Sequence, residues 1–408
     1  MKVAGIIVEY NPFHNGHKYH IQKTKSITDC HAIVAVMSGN FVQRGAPSII
    51  DKWTKTKMAL LNGVDLVLEL PVLYSLSSAE FFAYGAVSLL ENLGIVENLC
   101  FGSECEDIEL LNLIAKILYE EPEEFKLTLK EKLSEGMSYA SARSSALSEF
   151  LLHKCYLKNY NIPEILHSPN NILAIEYCKS LIKINSTIIP VPIKRLGNCY
   201  NSLHINHGFS SATSIRRFLK ENTTIRGLER DLPHNVLSIL KNLQTSGYKF
   251  TFEDSMVSYL KYKGFFYGKN IKSLPDVSEG IENRILTSLK NNFSYDQIIT
   301  DAKTKRYTYS RISRILCQFF LGFEDSDTKT WRKNKCPYAR VLGFNSKGIE
   351  ILRKIKKSSL IPIYTKLPKK TNDILNMDVM ATKGYSLLNE NIAFNRDYTS
   401  SPIIIDKI

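Results

Sequence analysis

The sequence predicts an α/β protein: a Rossmann-like, doubly wound parallel-sheet domain followed by a mostly helical, basic domain. Three observations carry that expectation. Short β-rich apolar runs alternate with helical stretches through the first 220 residues, the pattern of a parallel sheet covered on both faces. Beyond about residue 221, helical stretches split by polar turns take over. The charge is also unevenly divided: residues 1–220 hold 22 Lys+Arg against 21 Asp+Glu, whereas 221–408 hold 31 against 19. A near-neutral part followed by a strongly basic one suggests a catalytic domain, 1–220, joined to a polyanion-binding domain, 221–408.

The strands are expected at "KVAGIIVEY" (2–10), "HAIVAVM" (31–37), "VDLVLELP" (64–71), "NLCFG" (98–102) and "TIIPVPIKR" (187–195). Between them, "GHKYHIQKTKSI", "DKWTKTKMALLNG" and "SSAEFFAYGAVSLLENLG" read as helices, the last two closing on Gly. Residues 106–184 read as a helical insertion before the last strand. In the second part, "HNVLSILKNLQ", "SMVSYLKYKG", "GIENRILTSLKN" and "YSRISRILCQFFLGF" read as helices, and "ARVLGFNSKGIEILRKIKK" mixes strand and helix.

The 408 residues, 44% of them hydrophobic, suffice for two cores, and no apolar run approaches the roughly 18 residues of a membrane span. The amino-terminal stretch lacks a secretory pattern, so a cytoplasmic location is expected. Eight scattered cysteines form no CxxC pair, and Cys100 and Cys105 have no nearby histidine, so reduced thiols rather than zinc are expected.

The chemistry concentrates where the first strand ends, at "VEYNPFHNGHKYHI". His14 and His17 share one face of a helix that starts at Asn15 or Gly16. A helix start offers unpaired N–H groups and a positive dipole end to an anion. Gly16 lets backbone approach a phosphate, and Pro12 stops the strand. Two imidazoles there suit the charge that develops on a phosphorus under in-line attack. A second element, "SSATSIRRFL" (210–219), is a hydroxyl-rich turn opening a helix that carries Arg216. Taken alone, each element also fits an ordinary capped helix.

Together, a strand, H-x-G-H and a helix, followed by that turn, resemble the HIGH-type nucleotidylyltransferase superfamily. The runs "GIIVEYNPFHNGHKYHI", "VMSGNFVQRGAPSIIDKWTKTKMAL", "FGSE", "SPNNILAIEY", "PVPIKRLGNCYN" and "AKTKRYTYSRISRIL" are similar in order to those of the bacterial tRNA(Met) cytidine acetate ligase family. The resemblance implies an enzyme that spends ATP to activate acetate as acetyl-adenylate, releasing pyrophosphate. It then acetylates N4 of the wobble cytidine of elongator tRNA(Met), releasing AMP. It implies His14 and His17 as the catalytic pair. Implied ATP contacts are Ile7, Val8, Glu9, Tyr10, Asn11, Pro12, Phe13, His14, Asn15, Gly16, His17, Lys18, Tyr19 and His20, then Gly102, either Asn170 or Asn171, Arg195, Ser214 and Arg216. Mg²⁺ is expected to accompany the nucleotide, with no protein ligand set for a metal.

Ser38, Gln43, Arg44 and Lys52 lie beyond the second strand, where an acceptor substrate would bind, and Arg44 or Lys52 could attract acetate. Glu80 reads as a helix-surface carboxylate. His20 reads as a residue that points to solvent, and His31, His153, His167, His204, His207 and His234 read as structural. In the basic part, "KTKRYTYSRISRIL" interleaves Lys303, Lys305, Arg306, Arg311 and Arg314 with Tyr307 and Tyr309, a pattern suited to phosphates and unpaired bases. Two rivals share parts of this reading: a small-molecule adenylyltransferase of cofactor biosynthesis, and a non-catalytic RNA-binding protein with a retained nucleotide fold.

Overall fold

The computed structural model describes residues 1–153, 161–195, 210–222 and 224–406. His204, His207, Cys155 and Cys199 lie outside the described residues. The five expected strands form as β1 (Val3–Val8), β2 (Ala32–Ser38), β5 (Leu66–Leu70), β6 (Asn98–Ser103) and β7 (Ile189–Lys194). A small antiparallel hairpin, β3 (Phe41–Val42) and β4 (Ala46–Pro47), lies between β2 and β5. Gly45 makes that hairpin possible, with φ +84° and Ser313 and Arg314 backbone where a Cβ would stand.

With β8 (Ala339–Asn345) and β10 (Ile403–Ile405) from the second part, the main sheet runs β10-β8-β5-β2-β1-β6-β7. β1 pairs in parallel with β2 (Val3↔Ala32) on one side and β6 (Ala4↔Asn98) on the other. The strand order therefore reverses at β1, and a ligand crevice is expected at the carboxyl ends there. Every residue of β2 is buried, which its unbroken apolar run requires of a strand covered on both faces.

The covering helices of the first part are α1 (Asn15–Thr28), α2 (Lys52–Leu61), α3 (Val72–Ser75) and α4 (Ala79–Asn92). The helical insertion is α5 (Ile108–Glu120), α6 (Glu123–Ser134), α7 (Tyr139–His153), α8 (Ile162–His167) and α9 (Pro169–Lys183). α10 (Ala212–Glu221) follows β7, and Ser211 caps it by accepting from Ser214 N.

The second part is mostly helical: α11 (His234–Thr245), α12 (Val257–Tyr267), α13 (Ile281–Asn291), α14 (Tyr295–Ala302), α15 (Tyr309–Leu321) and α16 (Thr328–Trp331). It then returns to the sheet. β8 (Ala339–Asn345) pairs antiparallel with β5, and β9 (Ile363–Tyr364) and β10 (Ile403–Ile405) flank β8. α17 (Ser346–Ser358), α18 (Asp373–Leu388) and α19 (Arg396–Thr399) separate them.

The division at residue 220 is thus one of charge, not of the core. The reason is electrostatic as well as apolar. Lys52 on α2 lies 2.7 Å from Glu69 on β5 and 2.9 Å from Asp397 on α19, and Arg340 on β8 donates to Asp397 at 2.7 Å and lies 3.3 Å from Glu69. All four side chains are buried, so separating the halves would strand charges in an apolar interior.

Candidate active site

A cleft of about 1400 Å³, open mouth included, lies at the carboxyl ends of β1, β6 and β7. Three helix amino termini, of α1, α9 and α10, supply residues to it and bring positive dipole ends to one space, although the first amides of α1 are occupied: Asn15 N donates to Asp231 O, Gly16 N to His14 Nδ1 and His17 N to His14 O.

His14 is the N-cap of α1. Its Nδ1 accepts from Gly16 N at 3.1 Å, and His17 Nδ1 accepts from His14 N at 3.2 Å. The two rings stack with centroids 3.7 Å apart. With each Nδ1 occupied as an acceptor, a neutral ring carries its proton on Nε2, so each histidine keeps one ring donor. Both are held neutral. Burial, then Arg195 and Arg216, push His14 down to about 3, and burial with His14 and Arg195 keeps His17 well below the ordinary imidazole range. Gly16 is required here by the His14 ring, whose Cε1 would lie 2.9 Å from an added Cβ.

Tyr10, the residue that turns the chain from strand to helix, adopts φ +50°, a strained conformation for a non-glycine residue. Its ring meets His17 edge-on at 4.8 Å, and its hydroxyl is buried without a hydrogen-bond partner among the described residues. Asn11 fastens the turn: its Oδ1 accepts from Ile49 N (2.9 Å), and its carbonyl accepts from Arg216 Nη1 (2.8 Å).

Three arginines line the cleft: Arg44, Arg195 and Arg216. Arg44 and Arg216 each donate to Thr213 Oγ1 at 3.2 Å, and Arg195 reaches Asn170 Oδ1 at 3.5 Å. These acceptors are a hydroxyl and an amide oxygen, and the contacts hold the guanidinium groups in place. Glu9 is the one carboxylate among the described lining residues, and its Oε1 accepts from Gln43 N at 2.7 Å.

Most of the expected contacts come together. Ile7, Val8, Glu9, Tyr10, Asn11, His14, Gly16, His17, Tyr19, His20, Gly102, Asn170, Arg195 and Arg216 all line the cleft. Asn170 and Asn171, between which the expectation was open, differ in their surroundings. Asn170 faces the cleft, while Asn171 Oδ1 accepts from Ser103 Oγ, Glu104 N and Cys105 N and holds the turn after β6.

Pro12, Phe13, Asn15, Lys18 and Ser214, expected as ATP contacts, are not among the residues that line the cleft. Phe13 is core, the Asn15 amide donates to Arg230 O, Lys18 is exposed, and Ser214 Oγ donates to Ser211 O. Ser210, Ser211 and Thr213 form the edge of the turn instead. His20 does not point to solvent: it lines the cleft with Nε2 buried and unpartnered among the described residues, and burial, then Arg195, lower it to about 4. Lys52 cannot attract acetate because Glu69 and Asp397 hold it in the core, and Ser38 is buried, whereas Gln43 and Arg44 do reach the cleft. Glu80 is a surface carboxylate, paired with Lys179 at 3.3 Å.

The basic run also divides. Lys303, Lys305, Arg306 and Tyr309 are exposed. Tyr307 is buried with its hydroxyl on Glu279 O, Arg314 is buried against Asp276 (3.1 Å), and Arg311 bonds Asp276 O and Ser278 Oγ. Those three act within the fold. The apolar wall of the cleft, Phe82, Phe101, Leu173, Tyr177 and Ile193, was missed entirely. No local signal distinguishes these side chains from ordinary core residues, since they come from four separate elements.

The HIGH Nucleotidyl Transferase family model matches residues 1–400. The chain is 76% identical over 408 residues, all of both chains, to the tRNA(Met) cytidine acetate ligase of Clostridium kluyveri, and 54% identical over 405 residues, 99% of both, to that of Clostridium botulinum. Crystal structures of Thermotoga maritima TmcAL match over 100% of both chains. The apo form gives TM-score 0.91 at 35% identity, and the form bound with alpha-thio ATP gives 0.90 at 34%. The chain belongs to the tRNA(Met) cytidine acetate ligase family of HIGH-type nucleotidyltransferases.

Proposed function

We propose that this chain is an ATP-dependent ligase that makes acetyl-adenylate from acetate and ATP and passes the acetyl group to N4 of the wobble cytidine of elongator tRNA(Met). One observation carries the reading: two stacked, neutral histidines at a helix start share a cleft with three arginines. A cleft so charged suits a triphosphate, and the Thermotoga maritima relative is known with an ATP analogue bound.

In the first step an acetate oxygen attacks the α-phosphorus and the bond to pyrophosphate breaks. His14 and His17 donate Nε2–H to non-bridging α-oxygens as these gain charge. Neutral donors suit this role, because they need no proton transfer as charge builds. Arg195, Arg216 and the amides that open α10 take up charge on departing pyrophosphate. Arg44 and Gln43, on the hairpin edge, suit the acetate carboxylate. Among the described residues no group of three His, Cys, Asp or Glu suits a metal, so Mg²⁺ would arrive held mainly by the phosphates, with Glu9 as the nearby carboxylate. In the second step the cytidine amine attacks the acetyl carbonyl, the bond to AMP breaks and the amine proton is lost. Proximity is the main device there, because the nucleophile is weak.

Among the described residues no helix is long and apolar enough to cross a membrane. The test uses [¹⁸O]acetate with ATP and tRNA(Met). Attack at the α-phosphorus leaves one ¹⁸O in AMP and acetyl on RNA. Label in inorganic phosphate, with none in AMP, would refute it.

A further inference from the structure

Helix α12 presents an unusual face to solvent. Its inward side is Val257 and Leu260, with Gly264 close to Leu289. Its outward side is aromatic: Tyr262 and Phe266 stand one helical turn apart with ring centroids at 5.0 Å, and Tyr259, Phe265 and Tyr267 flank them. Phe266 is 70% exposed. Phe293, 83% exposed, joins from the turn after α13, with the Lys261 ammonium 4.1 Å over its ring. No exposed aliphatic side chain interrupts these rings on α12.

Exposed rings in such number mark a surface that a partner covers. The surrounding charge states which kind. From Ser255 to Pro275 the chain holds four lysines and no Asp or Glu. Lys269 and Lys272, just past the helix, are exposed. Lys263 is paired with Glu324, whereas flat rings beside the ammonium groups of Lys261, Lys269 and Lys272 match a ligand of π-faces and phosphates. That is single-stranded RNA, whose unpaired bases stack on aromatic side chains irrespective of sequence. A protein groove would supply aliphatic contacts, and the large positive balance of residues 221–408 favours a polyanion.

The face is also connected to the cleft. α12 packs on α15, and α15 braces the hairpin tip, with Ser313 Oγ donating to Gly45 O at 2.7 Å. The neighbouring Gln43 and Arg44 line the cleft. The geometry points to the outward face of α12, with Phe293, as a stacking platform for unpaired bases of the tRNA whose wobble cytidine enters the cleft. This assignment rests on the function proposed above. It also replaces Tyr307, Arg311 and Arg314, which are engaged inside the protein, as the principal aromatic contact with RNA.

The test uses the full chain carrying Tyr262→Ala with Phe266→Ala, and separately Phe266→Leu and Phe266→Tyr. Two quantities are measured: tRNA(Met) affinity by fluorescence anisotropy, and acetyl-AMP formation without RNA. The double variant should bind tRNA at least about tenfold more weakly. Phe266→Leu should also weaken binding, Phe266→Tyr should retain it, and acetyl-AMP formation should be unchanged in all three. Affinity within twofold of wild type for the double variant overturns the platform, as does full affinity in Phe266→Leu. Unchanged tRNA affinity with lost binding to phosphatidylserine vesicles, or with a lost dimer in sedimentation, overturns it in favour of a membrane or a second copy. A wild-type chain that binds tRNA but makes no acetyl-AMP refutes the proposed reaction, and the anisotropy series still decides the platform.

Discussion

Two charged regions of this molecule invite comparison. Beneath the sheet, Lys52 and Arg340 meet Glu69 and Asp397: two cations, two carboxylates, all buried and mutually bonded. In the cleft, Arg44, Arg195 and Arg216 gather around two stacked histidines, with contacts that include a carbonyl, a hydroxyl and an amide. The first region satisfies its charge internally and so fastens the two halves of the chain together. The second carries positive potential toward a space that an anion can enter. Similar residue types thus do opposite work, and the difference lies in whether acids or neutral groups surround them.

The largest expected effect breaks the cleft. His17→Ala should slow acetyl-AMP formation by about 10²–10³-fold and, because its Nδ1 accepts from His14 N, cost up to about 1 kcal/mol of stability. His14→Ala should match it in rate and also lose about 1 kcal/mol of stability, because His14 caps α1. Pyrophosphate exchange and thermal melting measure the two quantities, and a rate within fivefold of wild type would remove these residues from the chemistry.

Next, Lys52→Met breaks the internal network. It leaves Glu69 and Asp397 sharing Arg340 alone and should cost about 3–5 kcal/mol in denaturant unfolding, while the folded fraction keeps its ATP affinity. Lost ATP affinity with unchanged stability would reverse the assignment of the two regions. Arg216→Ala sharpens the contrast in the other direction: ATP affinity should fall about tenfold with stability changed far less.

A smaller effect concerns pH. The folded pKa values of His14, about 3, and His20, about 4, lie below the ordinary 6.5. Between those values and 6.5 the unfolded chain binds protons that the folded chain does not, so stability from these groups is lost as pH falls through that window. The melting temperature of the ligand-free chain should therefore fall from pH 7.5 to 5.5 and fall less in His20→Ala; an equal fall in the variant would show that this buried ring does not set it. Smallest of all, Lys305→Ala should weaken tRNA binding modestly and lower the salt slope by about 1.

Much of the site was legible because it is local. β1, the turn and α1 are contiguous in sequence, so "VEYNPFHNGH" alone predicts the histidine pair and the start of the helix, and the structure places both there. Asn170, Gly102, Arg195 and Arg216 were legible only through resemblance, since no spacing relates residues on four elements. Tyr307 and Arg314 were misread for the complementary reason. A basic aromatic run looks the same whether its side chains face solvent or Asp276, and periodicity does not reveal a buried acid 38 residues away.

The alternating strands, the histidine-bearing turn and the basic balance of the second part follow from the chain's local pattern, because hydrophobic period, capping residues and net charge are properties of neighbouring residues. Tertiary structure alone decided that β8, β9 and β10 complete the first sheet, that Lys52 is core while Arg44 is cleft, and that the exposed rings gather on α12. Each of these depends on which surfaces meet across more than a hundred residues, where burial and charge pairing outweigh any local preference.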